Sequence, residues 1–176
     1  MRLLSEQNAL ERLATLKSDF KSEVADGFEH RAKSCLTCET QGACCLDAHF
    51  VNVNISRLEA VAITNTLSNL PQQKRCEIYD RIEQTIDQYK LNSDGDTFAK
   101  TYACPLFEKG TGCLVHNSGK PLPCVAHACY ENAADLPPDE LTEQQERLVY
   151  DLNRRTYGEQ LWILPLPVAL SKRRKD

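Results

Sequence analysis

The chain has 176 residues and a formal net charge of −4, with a sequence pI of about 5.6. That acidic balance leaves no electrostatic footprint for nucleic acid, and no apolar run approaches the ~20 residues that span a bilayer. A chain of this length folds as one domain that buries roughly 70 % of its unfolded surface, so small size alone gives it no need for a metal.

The first residues, Met1 to Asn8, turn polar and acidic too early for a secretory signal. This predicts a cytoplasmic protein, in a compartment where thiols stay reduced and cysteine patterns point to metal or redox chemistry rather than disulfides. Nine cysteines are present. Four lie in residues 35–45, four in residues 104–129, and Cys76 stands alone. Core cysteines would scatter among apolar positions; these gather in two polar stretches, as ligands do.

In chain order, residues 5–30 read as a helix, with Leu10, Leu13, Leu16, Phe20, Val24 and Phe28 on one apolar stripe. Periodicity disappears over residues 35–48. Val51, Val53 and Ile55 then alternate with Asn52 and Asn54, which predicts a short half-buried strand. Ser56 and Glu59 form a capping-box pattern opening a helix to about residue 69, a structural role for Glu59 in preference to acid–base chemistry. Pro71 suits the first turn of a further helix. Ile78, Ile82, Ile86 and Tyr89 supply its apolar face, with Cys76 expected as a small buried residue.

Residues 92–96 are a turn cluster, and they lack the sixth-position glycine and closing glutamate of a calcium loop. Residues 101–129 combine four cysteines with Pro105, Gly110, Gly112, Gly119, Pro121 and Pro123, too many chain-breakers for a continuous helix. Pro137 and Pro138 mark a boundary before a helix over 139–157, with Leu141, Leu148, Val149 and Leu152 inward. The proline-interrupted segment 161–167 should pack as an extended tail, followed by a solvated basic end, Lys172 to Lys175. The expected fold is mainly α with a small irregular or β element, a single domain over residues 1–176. Helices surround a cysteine-rich metal-binding lobe (35–129). The helical insert 56–91 folds back as a hairpin and brings residue 45 to residue 104.

Cys35 and Cys38 have the two-residue spacing of a metal knuckle. Cys44 and Cys45 follow the permissive Gly42. In extended backbone their side chains would point to opposite sides, so that one ligates while the other packs, or each serves a different ion. Cys104, Cys113, Cys124 and Cys129 complete the candidate ligands, with His116 and His127 as imidazole candidates. Four thiolates suit tetrahedral zinc and equally suit an iron–sulfur cluster. Eight clustered thiols exceed one site's need, leaving zinc, iron and two-metal arrangements open. A thiol–disulfide oxidoreductase is the rival reading of Cys35-x-x-Cys38, but such motifs normally open a helix after a strand, whereas this one follows a long helix. No Gly-rich phosphate loop is present.

The run of Cys35, Cys38, Cys44 and Cys45, then Cys104-Pro105, Cys113, Pro121 and Cys124, resembles the YkgJ family of zinc- or iron-chelating domains with a CxxCxxCC motif. The resemblance covers about residues 35–129. It departs from the family in the five residues between Cys38 and Cys44, in His116 at a usually aromatic position and in Lys120 for the usual arginine. The resemblance implies a cysteine-bound zinc or iron ion, or an iron–sulfur centre like that attributed to flagellin lysine N-methylase. By that route it also implies an accessory or enzymatic role in an iron–sulfur-dependent modification.

Overall fold

The computed structural model describes residues 3–33, 42–46, 52–94 and 99–175, so Cys35, Cys38 and Val51 lie outside the described residues. In chain order the elements are α1 (Glu6–Gly27), β1 (Ala32–Lys33), β2 (Asn54–Ser56), α2 (Arg57–Ser68), α3 (Gln72–Tyr89), β3 (Phe107–Glu108), β4 (Gly112–Cys113), α4 (Leu122–Ala126), β5 (Cys129–Tyr130), α5 (Asp139–Tyr157), β6 (Ile163–Pro165) and α6 (Leu166–Lys175). The fold is mainly α, with three two-stranded antiparallel sheets among the described residues. No described helix is long and apolar enough to cross a membrane. The chain divides into two compact units, Met1–Glu39 with Pro121–Leu161, and Thr40–Lys120 with Trp162–Asp176.

In the first unit, Ser5 caps α1 by accepting from the Asn8 amide at 3.3 Å. Ala9, Leu13, Phe20 and Val24 are buried on the side that packs against α4 and α5. Helix α5 starts directly after Pro138, with Asp139 and Glu140 in its first turn and Arg154 and Arg155 in its last, the charge order its dipole favours. The start of α1 meets the end of α5, where the Leu4 amide donates to the Arg155 carbonyl (3.0 Å) and Tyr157 Oη donates to Glu6 (2.6 Å). Leu148 corrects the expected inward set, being 45 % exposed. The buried line runs through Val149, Leu152 and Asn153, and Leu148 sits about 100° before Val149 on the helical wheel. Strands β1 and β5 pair Ala32 with Tyr130 and Lys33 with Cys129.

In the second unit, β2 pairs with β6, placing Ile55 opposite Leu164. The strand alternation is realised at Val53 and Ile55, both buried. The Ser56 hydroxyl accepts from the Glu59 amide (3.2 Å), and the Ser56 amide and hydroxyl both donate to the Glu59 carboxylate (3.1 Å each). Glu59, 3 % exposed, is thus fully employed as a cap. Ser56→Ala is expected to cost about 0.5–2 kcal/mol, read as a lower urea midpoint at unchanged slope.

Helix α3 turns Ile78, Ile82 and Thr85 inward. Cys76 is exposed, not buried as expected. It lies two residues before Ile78, a rotation of about 200° that puts it on the opposite face.

The C-terminal segment also differs from expectation. Residues 166–175 form a helix, not an extended tail, because Pro167 falls in its first turn, where no amide donor is missed. The Leu166 amide bonds the Val53 carbonyl (2.9 Å) and the hydroxyl of fully buried Tyr102 (3.2 Å). Leu166, Ala169 and Leu170 then fill the core against α2 and α3. The basic residues are held by aromatic faces, Lys172 over Trp162 at 5.5 Å and Arg174 over Tyr79 at 4.6 Å.

Candidate metal centre

Four of the candidate cysteines belong to the second unit. Gly42 adopts φ +81°, and a Cβ there would lie 1.9 Å from Phe107 Cζ, so only a glycine leaves room for the outer edge of that ring. The following residues, Ala43–Cys45, form a 3₁₀ turn, closed by the Cys45 amide on the Gly42 carbonyl at 2.8 Å. In such a turn successive side chains are separated by about 120° instead of the 180° of a strand. The sulfurs of Cys44 and Cys45 therefore stand 4.0 Å apart, not on opposite sides as the extended reading expected. Zinc–sulfur bonds of ~2.3 Å at tetrahedral angles separate two sulfurs by ~3.8 Å, so this pair fits one ion.

The chain then runs through α2 and α3 and returns. The Cys104 amide donates to the Cys45 carbonyl at 2.9 Å, which brings the two cysteine segments together as the hairpin argument expected. Strand β3 follows directly and pairs with β4, with Phe107 opposite Cys113. The Leu114 amide closes the hairpin on the Leu106 carbonyl at 3.0 Å. Backbone amides face both sulfurs, those of Leu106 and Phe107 towards Cys104 and that of Val115 towards Cys113. Amide donors aimed at sulfur favour thiolate over thiol.

Burial opposes them. It pushes the Cys104 thiol from 9.0 up to about 12, with the Leu106 amide pulling back and the neighbouring Cys113 adding to the rise. Cys113 is raised by burial too, opposed by the Val115 amide and Lys120, with Cys44 close enough to add to the rise. Cys104 thus binds its proton more tightly when folded. Its contribution to metal-free stability is complete below about pH 9 and is lost as pH rises through about 12. Alkaline denaturation of the metal-free chain should therefore begin at lower pH than in Cys104→Ala, and coincident curves would contradict the burial argument.

Cations surround the hairpin. Lys74 of α3 bonds Glu108 of β3, holding that carboxyl below its usual range. Arg81, two turns further along α3, lies within electrostatic reach of Cys104 and Glu108, and Lys120 lies within reach of Cys113. Gly119, at φ +89°, lets the chain before Lys120 press against α2 beside Ile63 and Thr66. His116 is exposed.

The other described candidates belong to the first unit. Cys124 lies on α4, its amide on the Pro121 carbonyl at 3.0 Å, and Cys129 sits on β5 opposite Lys33. Both are half-buried, and His127 is exposed. Cys35 and Cys38, the knuckle of the sequence reading, fall outside the described residues.

Among the described residues no cysteine forms a disulfide, and no three His, Cys, Asp or Glu side chains are spaced to hold a metal ion. The second unit carries four thiols of the soft donor type on two segments tied at Cys45 and Cys104, of which Cys44 and Cys45 alone are shown within 4.0 Å of each other. Sequence reading missed Arg81. An arginine on a polar helix face reads as solvated, and the one available signal was its seven-residue spacing from Lys74. No family model, curated protein or solved structure matches the chain.

Proposed function

We propose that the protein binds zinc or iron through cysteine thiolates in the cytoplasm, with Cys44, Cys45, Cys104 and Cys113 as one donor set. The observation that carries this reading is the 4.0 Å Cys44–Cys45 sulfur pair on a turn whose carbonyl is tied to the Cys104 amide. Two thiols that close suit a single ion. In a four-iron cluster each cysteine takes a different iron, so zinc, a single iron or a two-iron cluster fits better. Cys35, Cys38, Cys124 and Cys129 are the remaining candidate thiols, the first two outside the described residues. The resemblance to the YkgJ family supports the same reading.

The residues divide the work. The Leu106, Phe107 and Val115 amides hold sulfur charge, while Gly42 and Phe107 lock the turn in place. Bound there, zinc would cross-link the two segments with an apparent binding energy of ~10–16 kcal/mol, and iron would add one-electron chemistry. A thiol–disulfide oxidoreductase needs a depressed thiol pKa. Burial raises those of Cys104 and Cys113, which argues against these two as redox thiols; Cys35 and Cys38, on which the rival reading rests, lie outside the described residues.

Anaerobic purification, elemental analysis and a visible spectrum test the proposal. Zinc in a colourless protein, or iron with sulfur-to-iron charge-transfer bands, is the expected result. A reduced chain that holds neither and takes up neither from solution would refute it.

A further inference from the structure

Helices α1 and α5 of the first unit pack side by side, the start of one against the end of the other. Their outer seam holds a hollow of about 490 Å³, continued by a second of about 350 Å³, and Arg12, Leu16 and Leu148 line both. Leu16 and Leu148 each belong to an apolar stripe whose spacing points to the core. The fold leaves Leu16 half-buried and Leu148 45 % exposed. Each stripe is thus wider than the core covers, and the surplus of the two meets in one groove. An apolar floor rimmed by charge is what a helical partner covers.

The charges identify the partner. On α1, Arg12 stands four residues before Leu16 and Asp19 three after it, both are exposed, and all three line the same hollow, one face of the helix. An antiparallel copy of α1 crossing at Leu16 sets Arg12 of each chain against Asp19 of the other. The two steps differ by one residue, ~1.5 Å of helix rise, well within the reach of an arginine. Helix α5 repeats the pattern about Leu148, the middle of its 19 residues, with Asp139 and Glu140 in the first turn and Arg154 and Arg155 in the last. Because Leu16 and Leu148 line the same hollow, one two-fold axis can cross both helices there and oppose acid to base on each. The remaining rim acids are engaged within their own helices, Glu11 with Gln7 at 3.0 Å and Asp151 with Arg154 at 3.6 Å. A surface whose charges complement their own reversal fits a second copy of the same chain.

We propose that the α1–α5 face is a self-association surface, on which two copies of the chain meet about a two-fold axis at Leu16 and Leu148 and form a four-helix arrangement. The leucines supply the buried centre of the contact and the Arg12–Asp19 pairs fix its antiparallel register.

The test uses the full chain, reduced and with a chelator present, so that neither a disulfide nor a shared metal joins the copies. Sedimentation equilibrium is run from micromolar to near-millimolar concentration in low-salt buffer, where charge pairing is least screened. The wild type should dimerise with a micromolar Kd. Leu148→Asp should raise that Kd by about 30-fold or more. Arg12→Asp and Asp19→Arg each oppose like charges across the axis and should each weaken the dimer by about 10-fold or more. An equimolar mixture of those two variants should associate again, and so should the double variant Arg12→Asp/Asp19→Arg, a rescue that damage to the fold would not give. A wild type that stays monomeric throughout overturns the proposal and leaves the groove to a different occupant. So does a Leu148→Asp dimer as tight as the wild type, or a mixture and double variant no tighter than the single charge variants.

Discussion

Cys104→Ser should strip the chain of the metal in its second unit, while Cys76→Ser keeps the wild-type metal content. Cys104 has three attachments to the proposed centre. Its amide holds the Cys45 carbonyl, its sulfur faces the Leu106 and Phe107 amides, and Cys113 lies on the strand paired with the one that follows it. Serine preserves the backbone links and replaces a soft, ionisable sulfur with a hard hydroxyl that does not ionise at neutral pH. Loss of a direct ligand should exceed the roughly 10- to 100-fold penalty of losing an outer-shell partner. The added stability of the loaded protein should fall with it, a loss of about 4 kcal/mol if the wild type works at a thousand times its Kd. Cys76 is exposed on the far face of α3, where substitution costs within about 0.5 kcal/mol. Elemental analysis of both variants beside the wild type decides the matter, and equal metal in Cys104→Ser and Cys76→Ser would contradict the ligand assignment.

Gly42→Ala is expected to be the most damaging small substitution in the cysteine turn. Its φ of +81° already strains any residue with a Cβ, and that Cβ would sit 1.9 and 2.1 Å from Phe107 Cζ and Cε2. Left-handed strain and overpacking together cost on the order of 2–4 kcal/mol. Because the displaced ring lies three residues after Cys104, the cysteine pair should lose its alignment and metal affinity should fall as well. The double variant Gly42→Ala/Phe107→Ala removes the collision and keeps the backbone strain, so its cost should be clearly less than the sum of the two single costs. Urea unfolding of all four proteins measures the coupling. Strict additivity, or a Gly42→Ala protein as stable as the wild type, would show that the turn does not rest on the ring.

Much of the scaffold was legible because it depends on short-range rules. The capping box at Ser56 and Glu59 formed with both its arms, the Pro138 boundary opened α5 where expected, and the mainly α class followed from the apolar stripes. The return of the chain from Cys45 to Cys104 was legible as well, although α2 and α3 find their main packing partner in α6, an element that the sequence reading had made an extended tail. What escaped depended on finer geometry. Periodicity places a face to within about half a turn, so Leu148 and Cys76 were put on the wrong side of their helices. Prolines at 165 and 167 read as interruptions, although one ends a strand and the other begins a helix. The Cys44–Cys45 pair was misjudged because its orientation follows from a local 3₁₀ turn that no composition rule specifies. Arg81 escaped because what surrounds a helical arginine is decided by segments more than twenty residues downstream, those of Cys104 and Glu108.

The interleaving of the two units has a consequence for biosynthesis. Unit 2 is sealed by β6 and α6, whose Leu164 and Leu166 meet Ile55 and Val53 from the opposite half of the chain. A ribosome delivers Cys44, Cys45, Cys104 and Cys113 well before it delivers those sealing residues. The second unit therefore cannot complete its core until nearly the whole chain has been made, and its cysteine segments are synthesised before the residues that seal it.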